Sequence, residues 1–181
     1  MALTKISEQT VTGAAYADFT SGIDSTYKLY KVIYNNINPD ASSAAIDFVF
    51  QTNQASGSGW NETIMSTFFK SEHHVGGATG LSYDTGKDQG DGTAFQCLMQ
   101  GVGPGATESV SGEFYLFNPS GTTYVKHWWS VNNGIYGPYT NRGAVRNMVG
   151  GYFDVTAAID EIRFKFSDDG NFDGYFSLWG L

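Results

Sequence analysis

The chain has 181 residues, a length that suits one domain with one hydrophobic core. Hydrophobic residues make up 41% of it and aromatic residues 15%, so enough apolar surface is available to drive folding. The formal net charge of −8 argues against nucleic-acid and membrane partners, because phosphate groups and anionic lipid surfaces bind to clustered cations, which the sequence lacks.

The N-terminal segment, residues 1–18, is polar, small and weakly patterned. We expect it to form an extended arm outside the core, and residues 19–181 to form the folded domain. No linker or clean internal repeat divides that domain. No apolar run approaches the roughly 20 residues of a membrane span, and no signal-peptide pattern is seen, so we expect synthesis in a cytoplasm.

Short apolar runs follow one another along the first two thirds of the domain. Residues 27–34 are aromatic and β-branched on both faces, which favours a strand in the middle of a sheet. Residues 46–51 alternate apolar and polar side chains, the two-residue period of a half-buried strand. Residues 63–70 and 93–99 are predicted to be further strands.

Two hairpin-like units follow. Residues 109–117 and 122–130 flank an Asn-Pro-Ser-Gly segment, which predicts a β-hairpin. Residues 161–166 alternate without a slip, and a polar turn then leads to a return strand over residues 175–181. Residues 156–160 are the one place where a short helical turn is expected.

About eight to ten strands and no amphipathic helix predict an all-β protein. Many short strands separated by turn residues are typical of a sandwich or jelly roll. We therefore expect a single-domain antiparallel β-sandwich, jelly-roll-like, whose strand order the sequence leaves open.

A polar loop near the C-terminus matches the opening of a calcium loop. Asp169, Asn171 and Asp173 stand at alternate positions around Gly170, and oxygen ligands around a glycine bend suit calcium. The acidic residue expected at the twelfth position is missing, and these residue types also suit a plain hairpin turn. The three residues are weak calcium candidates, and no other metal or cofactor is expected.

Other chemistry-bearing residues favour structural roles. The single cysteine, Cys97, lies in an apolar run and is expected to be a buried thiol without a disulfide. His73 and His74 are adjacent, so on a strand they point to opposite faces. No nucleophile elbow or triad pattern is present, and we expect no catalytic residues.

Four tryptophans are candidates for a sugar-stacking platform or a subunit interface, since aromatic rings are enriched at both. On a strand, neighbouring tryptophans face opposite ways, so only one of the pair can join a given platform. The candidates are Trp60, Trp128, Trp129 and Trp179.

The order of these segments resembles the small virion structural proteins of marine tailed bacteriophages, including cyanophages. The resemblance spans residue 18 to the end and ends in a strand closing as Leu-Trp-Gly where such proteins have Leu-Tyr-Gly. The segments that carry it are residues 27–30 with 35–39, 46–51, 111–119, 123–127 and 162–166 with 178–181.

The resemblance implies a copy-rich particle component without catalytic motifs. We expect a capsid decoration or cement protein on the exterior of the virion, made in the host cytoplasm, forming a homo-oligomer such as a trimer and contacting the major capsid protein. The alternative is a tail or fibre receptor-binding module that recognises host glycan, with tail proteins as its partners. A glycan-cleaving enzyme would need a pair of carboxylates across a groove, and none can be nominated.

Overall fold

The computed structural model describes residues 2–40, 45–137 and 142–181. These residues form thirteen strands and no helix, and all of the strand pairs are antiparallel. The strands are β1 (Thr4–Ala14), β2 (Tyr16–Phe19), β3 (Leu29–Pro39), β4 (Ile46–Gln54), β5 (Ile64–His74), β6 (Thr79–Tyr83), β7 (Gly90–Gly92), β8 (Gln96–Val102), β9 (Val110–Phe117), β10 (Lys126–Tyr136), β11 (Gly143–Phe153), β12 (Ile159–Phe166) and β13 (Phe172–Gly180).

The strands form two layers that meet at one corner. The large layer has the order β1-β13-β3-β9-β10-β11-β5, and β6 and β7 both pair with the outer side of β5. The small layer has the order β2-β12-β4-β8. A single pair between Tyr136 of β10 and Val102 of β8 joins the layers, so the sheet is nearly barrel-like. This architecture confirms the predicted all-β, single-domain, jelly-roll-like sandwich.

The core between the layers is unusually aromatic. Phe50 and Phe114 face each other across it with ring centroids 4.6 Å apart, and Phe48 stacks beside Phe164 at 5.9 Å. The buried Tyr34 hydroxyl forms a hydrogen bond with Ser130 Oγ at 3.0 Å, so its polar atom is satisfied inside the core. Ring packing of this kind holds the two layers in a fixed relation.

In the segment that the sequence predicts to be an extended arm, the structure has two strands. Apart from Met1, which lies outside the described residues, it forms β1 and β2 within the two layers. β1 pairs with β13 from Thr4 to Ala14, and β2 pairs with β12, so one short bend at Ala15 carries the chain from the large layer to the small one. The polar sequence suits these strands because both lie at sheet edges, where one face stays in water.

The two C-terminal strands do not form the expected pair with each other. β12 pairs with β4 and β2, whereas β13 crosses to the large layer and lies between β1 and β3. The final strand is therefore hydrogen-bonded on both sides. Residues 156–158 are not helical, and β12 already begins at Ile159.

The predicted β9–β10 hairpin is confirmed, with Leu116 opposite Trp128. Its connection is longer than the four residues suggested by the sequence, since β10 begins only at Lys126. The Lys126 ammonium donates to the carbonyl oxygens of Tyr124 at 2.8 Å and Thr156 at 3.1 Å, which ties this connection to the segment before β12.

Candidate functional site

The outer face of the large layer is defined by alternation along its strands. In β10 the side chain of Trp128 is buried in the core, and Trp129 points to the opposite, partly exposed face. The residues opposite Trp129 are Tyr115 in β9 and Gly150 in β11, so all three lie on the outer face in one row across the sheet.

This row continues on both sides of Trp129. Lys31 lies opposite Tyr115 with its ammonium 4.8 Å from the ring centroid, and Thr67 of β5 lies opposite Gly150. The rings of Tyr115 and Trp129 are stacked with centroids 4.3 Å apart and an angle of 10° between their planes. Because Tyr115 covers one face of the indole, the other face points along the row towards Gly150.

Gly150 leaves a gap in this row. A Cβ atom there would have Trp129 Cβ at 3.5 Å, the Trp128 carbonyl oxygen at 3.6 Å and Trp129 Cα at 3.9 Å as its nearest neighbours. All three are backbone or Cβ atoms of β10 at ordinary contact distances, so position 150 has room for a side chain beside Trp129.

The next glycine in the strand has a different role. A Cβ atom at Gly151 would come within 2.1 Å of the Met65 carbonyl oxygen, so the close approach of β11 and β5 requires glycine there. At Gly150 no such close contact exists, so a larger residue would fit there. Glycine in the interior of a strand weakens it, so its presence at this position needs another explanation. The fold explains Gly151 and leaves Gly150 without a packing reason.

A depression of about 580 Å³ lies over Gly150. Thr67 and Tyr152 border it on the strands, and Tyr83 and Asp88 border it on the far side, where the Tyr83 hydroxyl donates to the Asp88 carboxylate. That hydrogen bond raises the pKa of Tyr83, so the phenol stays protonated at neutral pH. Trp129 does not line the depression itself but is the next residue of the row beyond Gly150. We call the depression, together with the neighbouring Trp129, the slot.

A second feature occupies the neighbouring row. Val131, Met148, Phe69 and Tyr83 lie opposite one another across β10, β11, β5 and β6. Five large apolar side chains on β5, β6 and β11 and in the turn that follows β5 are exposed, and we call them the apolar edge. They are Phe69 (43%), Val75 (83%), Leu81 (79%), Tyr83 (43%) and Met148 (49%).

The four predicted tryptophans are not brought together. Trp128 is buried against Phe50 and Phe114, and Trp129 lies beside the depression, opposite Gly150. Trp60 lies on the small layer with the Arg163 guanidinium 4.5 Å from its ring, and Trp179 lies in β13 and donates to Ser177 Oγ at 2.8 Å. One of the four therefore contributes to the slot.

The three calcium candidates make separate contacts. Asp169 pairs with the Lys165 ammonium, and Asp173 Oδ1 accepts a hydrogen bond of 2.9 Å from the backbone of Gly13. Asn171 contributes its backbone carbonyl, which accepts from Asp40 N at 2.8 Å. Within the described ranges, no group of three or more His, Cys, Asp or Glu side chains is arranged to hold a metal ion.

The remaining candidates from the sequence are Cys97 and the adjacent His73 and His74. Cys97 is a buried free thiol, and desolvation raises its pKa well above the usual value, which disfavours the reactive thiolate. His73 points to the exposed face of β5 and His74 to the other, where it lies 3.1 Å from a Glu72 carboxylate oxygen.

Comparison of the chain with protein-family models and with curated protein sequences found no match. In the part of the chain that the structure describes, no helix is long and apolar enough to cross a membrane.

Sequence reasoning found Trp129 and missed the rest of the slot. Gly150, Thr67 and Tyr152 become neighbours through the pairing of β10, β11 and β5, which no local pattern specifies. The available signal was the Gly150-Gly151 pair inside an otherwise strand-like run, since an interior glycine indicates a bulge or a close approach.

Proposed function

We propose that the protein is a structural protein of a tailed-phage virion, a capsid decoration or cement protein on the exterior of the head. The observation that carries this proposal is the apolar edge. Phe69, Tyr83 and Met148 are direct neighbours within it, and exposed apolar side chains that cluster on soluble proteins mark interaction sites, since leaving them in water is unfavourable. The resemblance of the sequence to phage virion proteins supports the same function.

The proposed occupant of the apolar edge is the protein shell of the head. None of the five residues of the edge is charged, although the chain as a whole carries a formal charge of −8. Exposed apolar side chains of this size favour an apolar protein surface as the partner. β6, which carries Leu81 and Tyr83, pairs only with β5 among the described strands, so this side of the sheet is open to a partner.

The proposed work is binding and not catalysis. A decoration protein stabilises the shell because it binds the assembled lattice and not the free subunits. A homo-oligomer such as a trimer would engage several shell subunits at once, and linked contacts raise the overall affinity well above that of each one. The protein is proposed to be made in the host cytoplasm and added to the outside of the particle.

The test is binding of the purified protein to heads that lack it. We expect Leu81→Ser with Val75→Ser to weaken binding at least about tenfold, because both side chains lose apolar contact area. The matched control is Tyr124→Ser, which removes an apolar side chain that is 75% exposed on the loop between β9 and β10. Unchanged binding by the Leu81 and Val75 variant would contradict the proposal.

Copy number separates the head from the tail. A decoration protein is expected on the order of hundreds of times per virion because it follows the symmetry of the shell. About a dozen copies would contradict head decoration and would support the tail or fibre receptor-binding module. Quantitative mass spectrometry of purified virions measures this number directly.

A further inference from the structure

The slot over Gly150 has the dimensions of a binding site for one ring. Neighbouring strands lie about 4.8 Å apart, so Trp129 on β10 and Thr67 on β5 are separated by about 9.6 Å, with only Gly150 between them. A ring stacked on an aromatic face lies about 3.5–4 Å from it. One flat ring therefore fits between the free face of Trp129 and the opposite wall.

The walls of the slot combine one aromatic face with hydrogen-bonding groups. Stacking on Tyr115 orients the indole of Trp129, so its other face is positioned before any ligand binds. Thr67 and Tyr152 provide hydroxyls, and Asp88 provides a carboxylate whose second oxygen is available beside the bond from Tyr83. An aromatic face with polar groups at its border matches a pyranose ring, which has an apolar face and a rim of hydroxyls.

The charge of the slot restricts the ligand further. Among the described residues, those that line the depression include Asp88 and no Lys, Arg or His, and the nearest cation of the row, Lys31, lies on the far side of Tyr115 from Trp129. A sulfated or carboxylated sugar would meet this carboxylate and the net negative charge of the protein without a compensating cation. A neutral sugar can instead donate its hydroxyls to Asp88.

We propose that the slot binds one pyranose ring of a neutral saccharide, with its apolar face on Trp129 and its hydroxyls on Asp88, Thr67 and Tyr152. This inference goes beyond the proposed decoration function, because a contact of Leu81 and Val75 with the shell does not require an open space at Gly150. It assigns the protein a second surface property, the capture of carbohydrate by the particle or by the free protein.

The test is titration of the purified protein with neutral trisaccharides of glucose, mannose, galactose or N-acetylglucosamine, followed by calorimetry and tryptophan fluorescence. We expect at least one to bind at millimolar concentration or below, and matched sulfated or carboxylated trisaccharides to bind at least tenfold more weakly. No neutral binding, or a preference for the acidic sugars, overturns the proposal.

Two variants locate the binding. Gly150→Val fills the slot with a side chain that suits a strand, and Trp129→Leu removes the stacking face, so each is expected to weaken saccharide binding at least tenfold. Trp179→Leu is the matched control, since it removes another outward-facing tryptophan of the same sheet and should leave binding unchanged. Thermal unfolding shows that each variant is folded, and Gly150→Ala replaces Gly150→Val if the latter is not.

The outcomes separate this inference from the decoration function. The Leu81 and Val75 variant is expected to keep saccharide binding in full. If Gly150→Val abolishes attachment to heads while saccharide binding is absent from the wild type, the slot receives a protein side chain and the saccharide proposal is wrong. Saccharide binding that survives Gly150→Val also overturns it.

Discussion

The outer faces of the two layers differ in how far their side chains satisfy one another. On the small layer, the Arg163 guanidinium lies between the rings of Tyr16 and Trp60, at 4.2 and 4.5 Å, and binds the Asp18 carboxylate through two hydrogen bonds of 2.8 and 2.6 Å. On the large layer, Trp129 keeps one face free and the apolar edge has no cover among the described residues.

The two faces therefore differ in how much apolar surface is left exposed, although on the large layer, too, one ring is contacted by a cation, Tyr115 by Lys31. Aromatic rings of the small layer are occupied by cations of the same layer, as with Lys165 over Phe95 at 4.5 Å. The segment between β6 and β8 also covers this layer, and Cys97 is buried beneath it. A face that satisfies its own groups has little to offer a partner, and the large layer is where a partner would gain most.

The largest expected effect comes from the two neighbouring glycines. Gly151→Ala should destabilise the protein by about 3 kcal/mol, because its Cβ would lie 2.1 Å from the Met65 carbonyl oxygen and the backbones must separate. Gly150→Ala should instead stabilise it by about 0.5 kcal/mol, since the added Cβ makes ordinary contacts and restricts the unfolded chain. Urea denaturation of the two variants measures both free energies, and equal losses would show that Gly150 is also structural.

The sequence predicted the parts of the fold that rest on local alternation. The pattern of Ile162, Phe164 and Phe166 identified β12, and all three side chains are buried as expected. The partners of β12 could not be predicted, because alternation specifies which face is buried and not which strand lies beside it. β13 was for this reason expected to return beside β12, whereas it lies in the other layer.

Edge strands and the slot escaped sequence reasoning for a related reason. β1 is polar on its exposed face and buries only Val11, so its sequence has the composition of an arm. Its strand character comes from its pairing with β13. The slot likewise depends on Gly150 lying between Trp129 and Thr67, a juxtaposition made by three strands that are distant in sequence.

An intermediate effect is expected from two cations, one on each outer face. Arg163→Ala should cost about 2 kcal/mol, since a two-bond contact with a carboxylate and two ring contacts are lost together. Lys31→Ala, its counterpart beside Tyr115, should cost about 1 kcal/mol or less, because its ammonium makes one ion pair with Glu113 and one ring contact, where Arg163 makes two hydrogen bonds and two ring contacts. Thermal and urea unfolding give both values, and a larger loss for Lys31→Ala would contradict the contrast between the faces.

The smallest effect is expected from a carboxyl group beside the small layer. Glu62 is only 7% exposed, and its desolvation raises its pKa above the usual 4.5, although one oxygen accepts a hydrogen bond of 3.1 Å from the backbone of Gln54. A folded state with the higher pKa binds the proton more tightly, so below pH 4.5 both states are protonated and burial has no charge penalty. As the pH rises from 4.5 through the raised pKa, Glu62 ionises more readily in the unfolded state than in its buried position. The free energy of unfolding therefore falls over this pH range.

Glu62→Gln removes this titration and keeps an oxygen that can accept the Gln54 bond. The variant should gain stability relative to the wild type at pH 7 and lose that advantage below pH 4.5, which paired urea titrations at the two pH values measure. Asp173→Asn, at an exposed carboxylate that accepts a bond from Gly13, serves as the control. If the advantage of Glu62→Gln is the same at both pH values, burial of Glu62 beside the small layer carries no cost of ionisation. The difference between the outer faces of the two layers would then rest on side-chain contacts alone.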